Sequence, residues 1–221
     1  MLKLKKHRLG ENKVHALKGI NMELKKGEFV AFMGPSGSGK TTLLNLIGVL
    51  DKPSKGKIYV DGIDLTVLKE KDLTKLRRST IGFIFQFYNL IPVLSAFENV
   101  ELPMLIAGVA TKERENRARA LLEMVGLADR LHHRPDELSG GEQQRVAIVR
   151  ALANKPSIVL ADEPTGDLDS KTGKEVVQAL RDLSNREGAT VIVVTHDPIV
   201  ASMTSRIFEM RDGMIIKEHV N

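Results

Sequence analysis

Apolar residues along the chain follow two periods, one typical of buried strands and one typical of helices. Apolar residues spaced three or four apart predict helices, and from about Ser95 to Asn154 the pattern is helical without a clear strand. Short apolar runs predict four strands, at 28–33, 81–85, 157–162 and 190–196. Strands that alternate with helices predict an α/β fold with a mostly parallel core sheet. We expect one domain over 1–221, with a helical subdomain inserted at approximately 95–154.

Two shorter segments predict an antiparallel β part near the N-terminus. Ile20, Met22 and Leu24 alternate with polar neighbours, which is the period of a strand with its lysines on the solvated face. A hairpin-like segment surrounds the sequence KIYVDG at 57–62.

Length and composition restrict the class of protein. A chain of 221 residues with 42% hydrophobic residues can bury a sizeable core. No run of 18 or more apolar residues occurs. The start, MLKLKKHRLGENK, lacks the apolar core of a signal peptide. We therefore expect a cytoplasmic protein. The lack of cysteine excludes disulfides, zinc–thiolate sites and thiol catalysis.

The basic excess is confined to the start of the chain. Residues 1–26 contain eight lysines and arginines against two acids, a net +6, so the rest of a chain of net charge +5 sums to −1. A solvated face explains this cluster best, attraction to an anionic membrane surface comes next, and nucleic acid comes last.

The sequence GPSGSGKT, Gly34 to Thr41, fits G-x-x-x-x-G-K-[ST] between a predicted strand and a predicted helix. Glycines allow successive backbone N–H groups to converge on phosphate oxygens, and the helix N-terminus adds partial positive charge. A plain glycine-rich connection is the disfavoured alternative. The predicted nucleotide contacts are Gly34, Pro35, Ser36, Gly37, Ser38, Gly39, Lys40, Thr41 and Thr42.

Carboxylates and an imidazole follow two other predicted strands. Asp162 and Glu163 end the run SIVLADE, and His196 ends TVIVVTH, so all three are expected at the carboxyl edge of the sheet. Such a carboxylate pair suits a metal site and a general base, although a helix cap or an ion pair would also explain it. A lone histidine at a strand end is more often structural.

Six motifs taken in order resemble the nucleotide-binding subunit of ABC transporters over nearly the whole chain. They are Gly34–Thr41, Gln86, LSGGE at 138–142, VLADEP at 159–164, GDLD at 166–169 and His196. The stretches LDKPSKG, NLIPVLSAFENVELP and ADEPTGDLDSKTG look most like the ATPases of lipoprotein-release, macrolide-export and cell-division complexes.

This resemblance implies an ATP hydrolase with ATP and Mg²⁺ as cofactors, and it assigns roles to the matching residues. The implied catalytic residues are Glu163, His196, Gln86 and Lys40. The implied metal ligands are Thr41, Gln86 and Asp162. The residues implied to contact ATP held by a partner subunit are Ser139, Gly140, Gly141, Glu142 and Asp169.

The resemblance also implies two protein partners. In that family the LSGG segment of one subunit is offered to the ATP held by the glycine loop of the other, which predicts an ATP-dependent, head-to-tail homodimer. A separate integral membrane subunit of the permease type would hold the ATPase at the inner face of the membrane. No nucleic acid partner is expected.

Two of the implied roles have a purely structural alternative. Gln86 could simply end a strand, and Asp169 could cap the helix that begins near Lys171.

The usual adenine contact of the family is missing from this sequence. Family members usually carry an aromatic residue before the glycine loop to stack on adenine, but no aromatic residue precedes Phe29. His7 falls nearest that place and is the candidate adenine contact.

Two other functions compete with transport. A soluble ABC-type ATPase of DNA repair or translation usually adds coiled-coil arms or a second ATPase domain, and neither occurs in 221 residues. A module that binds ATP without turnover would not need Lys40, Asp162, Glu163 and His196 together.

Residues 79–97 contain no charged residue and hold five of the nine aromatic residues of the chain. Core burial accounts for the part before Gln86 better than for the part after it. Our hypothesis is that the later residues help to line an apolar groove for a helix of a membrane partner, with core burial as the alternative. These residues are Phe87, Tyr88, Leu90, Ile91, Val93 and Leu94.

Overall fold

A computed structural model describes the protein, giving the backbone of residues 6–9 and 12–15 and all atoms of residues 16–221. Its strands are β1 (Lys6–Leu9), β2 (Asn12–His15), β3 (Phe29–Met33), β4 (Tyr59–Val60), β5 (Ile63–Asp64), β6 (Ile81–Ile84), β7 (Ile158–Asp162), β8 (Thr190–Thr195), β9 (Arg206–Arg211) and β10 (Met214–Val220). Its helices are α1 (Lys40–Ile47), α2 (Glu70–Thr80), α3 (Ala96–Ala107), α4 (Thr111–Met124), α5 (Gly140–Leu152), α6 (Ser170–Glu187) and α7 (Pro198–Ser202).

The central sheet has six strands in the order β10-β9-β3-β8-β7-β6. Every neighbouring pair is parallel except β9 and β10, which form an antiparallel hairpin. Two smaller antiparallel pairs, β1 with β2 and β4 with β5, lie outside this sheet. The prediction of a mostly parallel core sheet with a separate antiparallel β part is therefore confirmed.

Helices cover both faces of the sheet because successive strand residues point to opposite sides. On β7, Val159 and Ala161 join one buried cluster together with residues of α3 to α6. Leu160, between them, joins a second buried cluster with residues of α1 and α2. The two clusters are the two halves of the core, and the parallel strands between them bring their carboxyl ends to one edge.

Between residues 95 and 154 the chain forms α3, α4, α5 and short 3₁₀ turns, with no strand. Helix α5 packs against α3 and α4 within the stretch and against β6 and α6 outside it. The helical stretch is thus joined to the sheet through α5. The predicted boundaries of the single domain and of its inserted subdomain stay predictions.

The predicted strand at Ile20–Leu24 is wrong, although its pattern of burial is present. Ile20 is buried and Met22 and Leu24 are half-buried, whereas Asn21 and Glu23 are exposed. The segment belongs to no strand. Alternating hydrophobicity reports which side chains face the core, and it does not guarantee a hydrogen-bonding partner for the backbone.

The predicted hairpin at KIYVDG is confirmed as β4 and β5. Its turn residues Asp61 and Gly62 both have positive φ, 48° and 79°, which suits the tight Asp-Gly turn of a two-residue hairpin. Among the helices that the structure describes, none is both long and apolar enough to cross a membrane.

Candidate active site

The glycine loop connects β3 to α1 and permits no side chain at several of its positions. Gly37 and Gly39 have φ of 77° and 100°, a left-handed conformation that favours glycine. A Cβ on Gly39 would lie 2.7 Å from the carbonyl oxygen of Ala16, and a Cβ on Gly34 would collide with the backbone of Met210. The loop is therefore held close against two neighbouring segments of backbone.

Lys40 begins α1 and is buried against this loop. Its Nζ donates to the carbonyl oxygens of Gly34, at 2.7 Å, and Pro35, at 2.9 Å. These two bonds fold the lysine back over the loop and hold its charge beside the N-terminus of the helix. Both features attract anions to the same place.

Asp162 ends β7 within reach of the Thr41 hydroxyl at the start of α1. Burial raises the pKa of the Asp162 carboxyl, and the charge of Glu163 acts in the same direction. The Thr41 hydrogen bond and the charge of Lys40 oppose this increase. A carboxylate whose ionised form is disfavoured by burial is suited to receive a cation.

Glu163 and His196 meet at the ends of β7 and β8. His196 Nδ1 lies 2.9 Å from Glu163 Oε1, and the Glu163 side chain is 17% exposed whereas that of His196 is 72% exposed. Glu163 also has a φ of 47°, which is strained for a residue with a side chain. Glu163 at the sheet edge thus has the His196 ring as a direct side-chain partner.

These groups line one cleft of about 1130 Å³. Of the predicted residues, the structure brings together in its lining Pro35, Ser36, Gly37, Gly39, Lys40, Thr41, Thr42, Gln86, Asp162, Glu163 and His196. The Gln86 amide donates to Asp167 Oδ1 at 3.4 Å. Glycine at position 166 leaves space for this amide, since a Cβ on Gly166 would lie only 2.9 Å from Gln86 Nε2.

Sequence reasoning missed several residues that line the cleft. Ala16, Lys18, Asp212 and Gly213 close one end, where the Lys18 N–H donates to the Gly213 carbonyl at 2.7 Å. The Gly213 N–H donates in turn to the Ser38 carbonyl at 3.0 Å. Phe85, Phe87 and Asn89 line it near Gln86.

Ser139 is the N-cap of α5 and is paired with Glu142 in a capping box. Ser139 Oγ accepts from the Glu142 N–H at 3.3 Å, and Glu142 Oε2 accepts from the Ser139 N–H at 2.8 Å. The Ser139 N–H and, at 2.8 Å, the Ser139 hydroxyl both donate to Glu142 Oε2, and these two bonds lower the pKa of the Glu142 carboxyl. None of the described residues that line the cleft comes from Ser139–Glu142.

Asp169 caps α6, where its Oδ1 accepts from the N–H groups of Lys171 at 3.0 Å and Thr172 at 3.1 Å. The helix-cap alternative for Asp169 is thus realised within the single chain. The side chain of His7, the candidate adenine contact, lies outside the described residues, and its strand β1 pairs with β2.

A second cavity, of about 470 Å³, lies beside β6, and we call it the β6 groove. Its lining includes Phe83, Phe85, Asn89, Ile91, Leu102, Ile106 and Arg150. Ile91 and Ile106 are exposed at 37% and 55%. Of the hypothesised groove residues, only Ile91 lines it.

The placement of Tyr88 and Leu90 in the groove was wrong. Tyr88 and Asn89 have φ of 56° and 50°, so the chain turns sharply after Gln86. Arg150 fixes this turn by donating to the carbonyl oxygens of Tyr88, at 2.7 Å, and Asn89. The Tyr88 hydroxyl consequently lies against Gly140, and Leu90 packs against the core.

The glycine loop between β3 and α1, with its buried lysine and the acid pair at the end of β7, defines a P-loop nucleoside triphosphate hydrolase. The model of the ABC transporter family matches residues 17–166. The chain belongs to this family and is its ATP-binding, ATP-hydrolysing component.

Two relatives and one solved structure show how extensive the similarity is. An uncharacterized ABC transporter ATP-binding protein of Methanocaldococcus jannaschii is 52% identical over 99% of this chain and 96% of its own length. The lipoprotein-releasing system ATP-binding protein LolD of Bacteroides fragilis is 51% identical over 92% of this chain and 94% of its own. The dimeric post-hydrolysis structure of an ATP-binding cassette bound to ADP and Pi has a TM-score of 0.89, 50% identity, and coverage of 98% of this chain and 95% of that one. The predicted family, fold and subgroup are confirmed.

Proposed function

We propose that the cleft binds one ATP with Mg²⁺ and that Glu163 orients and polarises the attacking water. The observation that carries this proposal is the meeting of Lys40, Asp162, Glu163 and His196 in one cleft beside the glycine loop. Lys40 and the loop N–H groups would hold the phosphates. His196 would hold the γ-phosphate while its ring nitrogen also fixes Glu163, 2.9 Å away.

The residues present fit Mg²⁺. The Thr41 hydroxyl, the Asp162 carboxylate and the Gln86 amide oxygen are hard oxygen donors, the kind this ion prefers. In the described part of the chain no three acidic, histidine or cysteine side chains form a metal cluster. This sparse set suits an ion that keeps waters and takes phosphate oxygens as its other ligands. When bound, Mg²⁺ neutralises charge on the β- and γ-phosphates.

We also propose an ATP-dependent, head-to-tail homodimer. Ser139, Gly140 and Gly141 begin α5, where a hydroxyl, free N–H groups and the helix dipole can face a phosphate. Because these residues lie outside the lining of the chain's own cleft, the phosphate they contact would be that of a second copy. Asp169 would lie at the same interface. The dimeric cassette structure to which this chain is similar supports the arrangement.

The partner that receives the work of hydrolysis would be an integral membrane protein of the permease type. The β6 groove would accept a short apolar helix of this protein, and the ATPase would be held on the inner face of the membrane through it. A macrolide export ATP-binding/permease protein, MacB of Wolinella succinogenes, is 55% identical over 94% of this chain, which spans 32% of that relative. These similarities favour transport over DNA repair or translation, and nucleic acid is not an expected partner.

Glu163→Gln tests the proposed chemistry, because it retains shape and hydrogen bonding and removes the charge. We expect ATP hydrolysis to fall by more than about a hundredfold, which is typical of losing a general base. ATP should still bind, and the variant should run as a dimer in size-exclusion chromatography with ATP and as a monomer without it. Glu175→Gln, which changes an exposed carboxylate on α6, is the control. A monomer with normal turnover at saturating ATP would contradict the proposal.

A further inference from the structure

The turn that carries Glu163 is held at three backbone groups. The Glu163 N–H donates to the Val194 carbonyl at 2.9 Å, and the Glu163 carbonyl accepts from the Gly166 N–H at 3.0 Å. The next carbonyl, that of Pro164, accepts from the side chain of Gln144 at 2.6 Å. A left-handed φ of 47° at Glu163 persists only where its surroundings fix it, so each of these bonds matters for the direction of the carboxylate.

Gln144 differs from the other two donors because it is a side chain and belongs to α5. It is fully buried, and its amide orientation is determined, since the Pro164 carbonyl can only accept and must face Nε2. Its Oε1 is buried without a hydrogen-bond partner among the described residues. An unpaired buried amide oxygen is destabilising, so an apolar side chain of similar size would serve packing better.

The position of Gln144 on α5 connects the LSGG segment with the turn that carries Glu163. It lies one helical turn after Gly140, which is the first residue of the helix and part of the LSGG segment. Gly141, on the first turn of α5, has no room for a Cβ, because that atom would lie 2.5 Å from the methyl group of Thr172. The first turns of α5 are therefore in close contact with the segment that follows Glu163.

We propose that Gln144 is a positioning residue for Glu163. Its amide holds the Pro164 carbonyl, fixes the strained turn, and ties the direction of the Glu163 carboxylate to the N-terminus of α5. A displacement of α5 by a bound phosphate thus reaches the base that acts on the chain's own nucleotide. This inference rests on the role proposed for Glu163.

Gln144→Met tests the inference because it retains the length of the side chain and removes both the donor and the unpaired oxygen. We expect kcat to fall about 10- to 100-fold, as expected when a catalytic group is misplaced by a fraction of an ångström to an ångström. The Kd for ATP, measured by calorimetry, should stay unchanged. Gln143→Met is the matched control, because the Gln143 amide donates to Leu138 within the same helix terminus, and it should retain normal turnover.

A double-mutant cycle distinguishes positioning from general damage. In single-turnover hydrolysis, Gln144→Met should add no further loss to Glu163→Gln, because residues that act through one another are not additive. An equal fold-loss in both backgrounds, or an unchanged kcat, would overturn the inference. If Gln144→Met does not fold, Gln144→Asn decides, since its amide is one methylene too short to reach Pro164. A folded Asn variant with normal kcat would equally overturn the inference.

The two proposals fail differently. If Glu163→Gln hydrolyses ATP normally, the role proposed for Glu163 is wrong whatever Gln144 does. If Glu163→Gln is inactive while both Gln144 variants have normal kcat, only the inference about Gln144 is wrong.

Discussion

Asp162 lies where burial opposes its own charge. Its pKa is raised mainly by desolvation, so the folded protein retains the Asp162 proton to a higher pH than the unfolded chain does. Between the ordinary aspartate pKa, about 3.9, and the raised value, the folded state binds more protons, and stability falls as pH rises. Above that window Asp162 is ionised in both states, and the burial of its charge lowers the free energy of unfolding by its full amount.

We therefore expect Asp162→Asn to raise the thermal unfolding midpoint at neutral pH in metal-free buffer. The gain should shrink as pH falls towards 4, because the native carboxyl, whose pKa is raised, then takes up its proton and loses its charge. The variant should at the same time lose Mg²⁺-dependent hydrolysis. Thermal unfolding across this pH range is the measurement, with Asp136→Asn, at an exposed carboxylate, as control. A midpoint at neutral pH that does not rise would contradict the destabilising role of the Asp162 charge.

At the scale of elements, the described part of the chain contains two capping boxes that each pair a serine with a glutamate, in different surroundings. Ser95 and Glu98 cap α3 with bonds of 3.2 and 2.7 Å, and Ser139 and Glu142 cap α5 with bonds of 3.3 and 2.8 Å. The first pair offers a control for the second, because only Ser139 is proposed to face the ATP of a partner subunit. The Glu142 carboxylate is directed to the cap and to Arg130, so Glu142 would act through the cap.

Ser95→Ala and Ser139→Ala should each lower the free energy of unfolding by about 1 kcal/mol, the usual effect of losing an N-cap. Only Ser139→Ala should weaken the dimer that ATP traps in the Glu163→Gln background. Chemical denaturation measures the first effect and analytical ultracentrifugation with ATP the second. Equal dimerisation by both variants would show that the Ser139 hydroxyl makes no contact with the partner's nucleotide.

The sequence predicted best the elements whose chemistry is local. The glycine loop and the strand ending in Asp162 were placed correctly because backbone freedom, helix start and strand end are all encoded within a few residues. Lys18 and Asp212 could not be placed in the cleft, because their positions depend on long-range pairing: β9 pairs with β3, and the Lys18 N–H donates to the carbonyl of Gly213. Tyr88 was misplaced because Arg150, 62 residues later, decides the conformation of its backbone.

At the scale of the whole molecule, the β6 groove is the surface where a membrane partner is proposed to dock. Its two exposed apolar residues, Ile91 and Ile106, come from the loop after β6 and from α3. Replacing both by serine removes apolar contact area from the groove and little from the core.

Ile91→Ser with Ile106→Ser should retain the basal ATPase activity of the isolated subunit and lose assembly with the membrane partner, or lose stimulation by it. Co-purification from membranes and ATPase assays of the assembled complex measure these effects. Val67→Ser, at an exposed apolar residue outside the groove, is the control. Normal assembly and normal stimulation of the double variant would place the docking surface elsewhere.

The contacts of Arg150 connect the β6 groove with the nucleotide cleft. Arg150 joins α5 to the turn after Gln86, so one connected set of residues borders both the groove and the nucleotide cleft. Coupling between two binding sites is reciprocal. If ATP changes the affinity of the groove for its helix by some factor, the helix must change the affinity for ATP by that same factor. The proposed membrane protein would then act as a ligand that sets how tightly this chain holds its nucleotide.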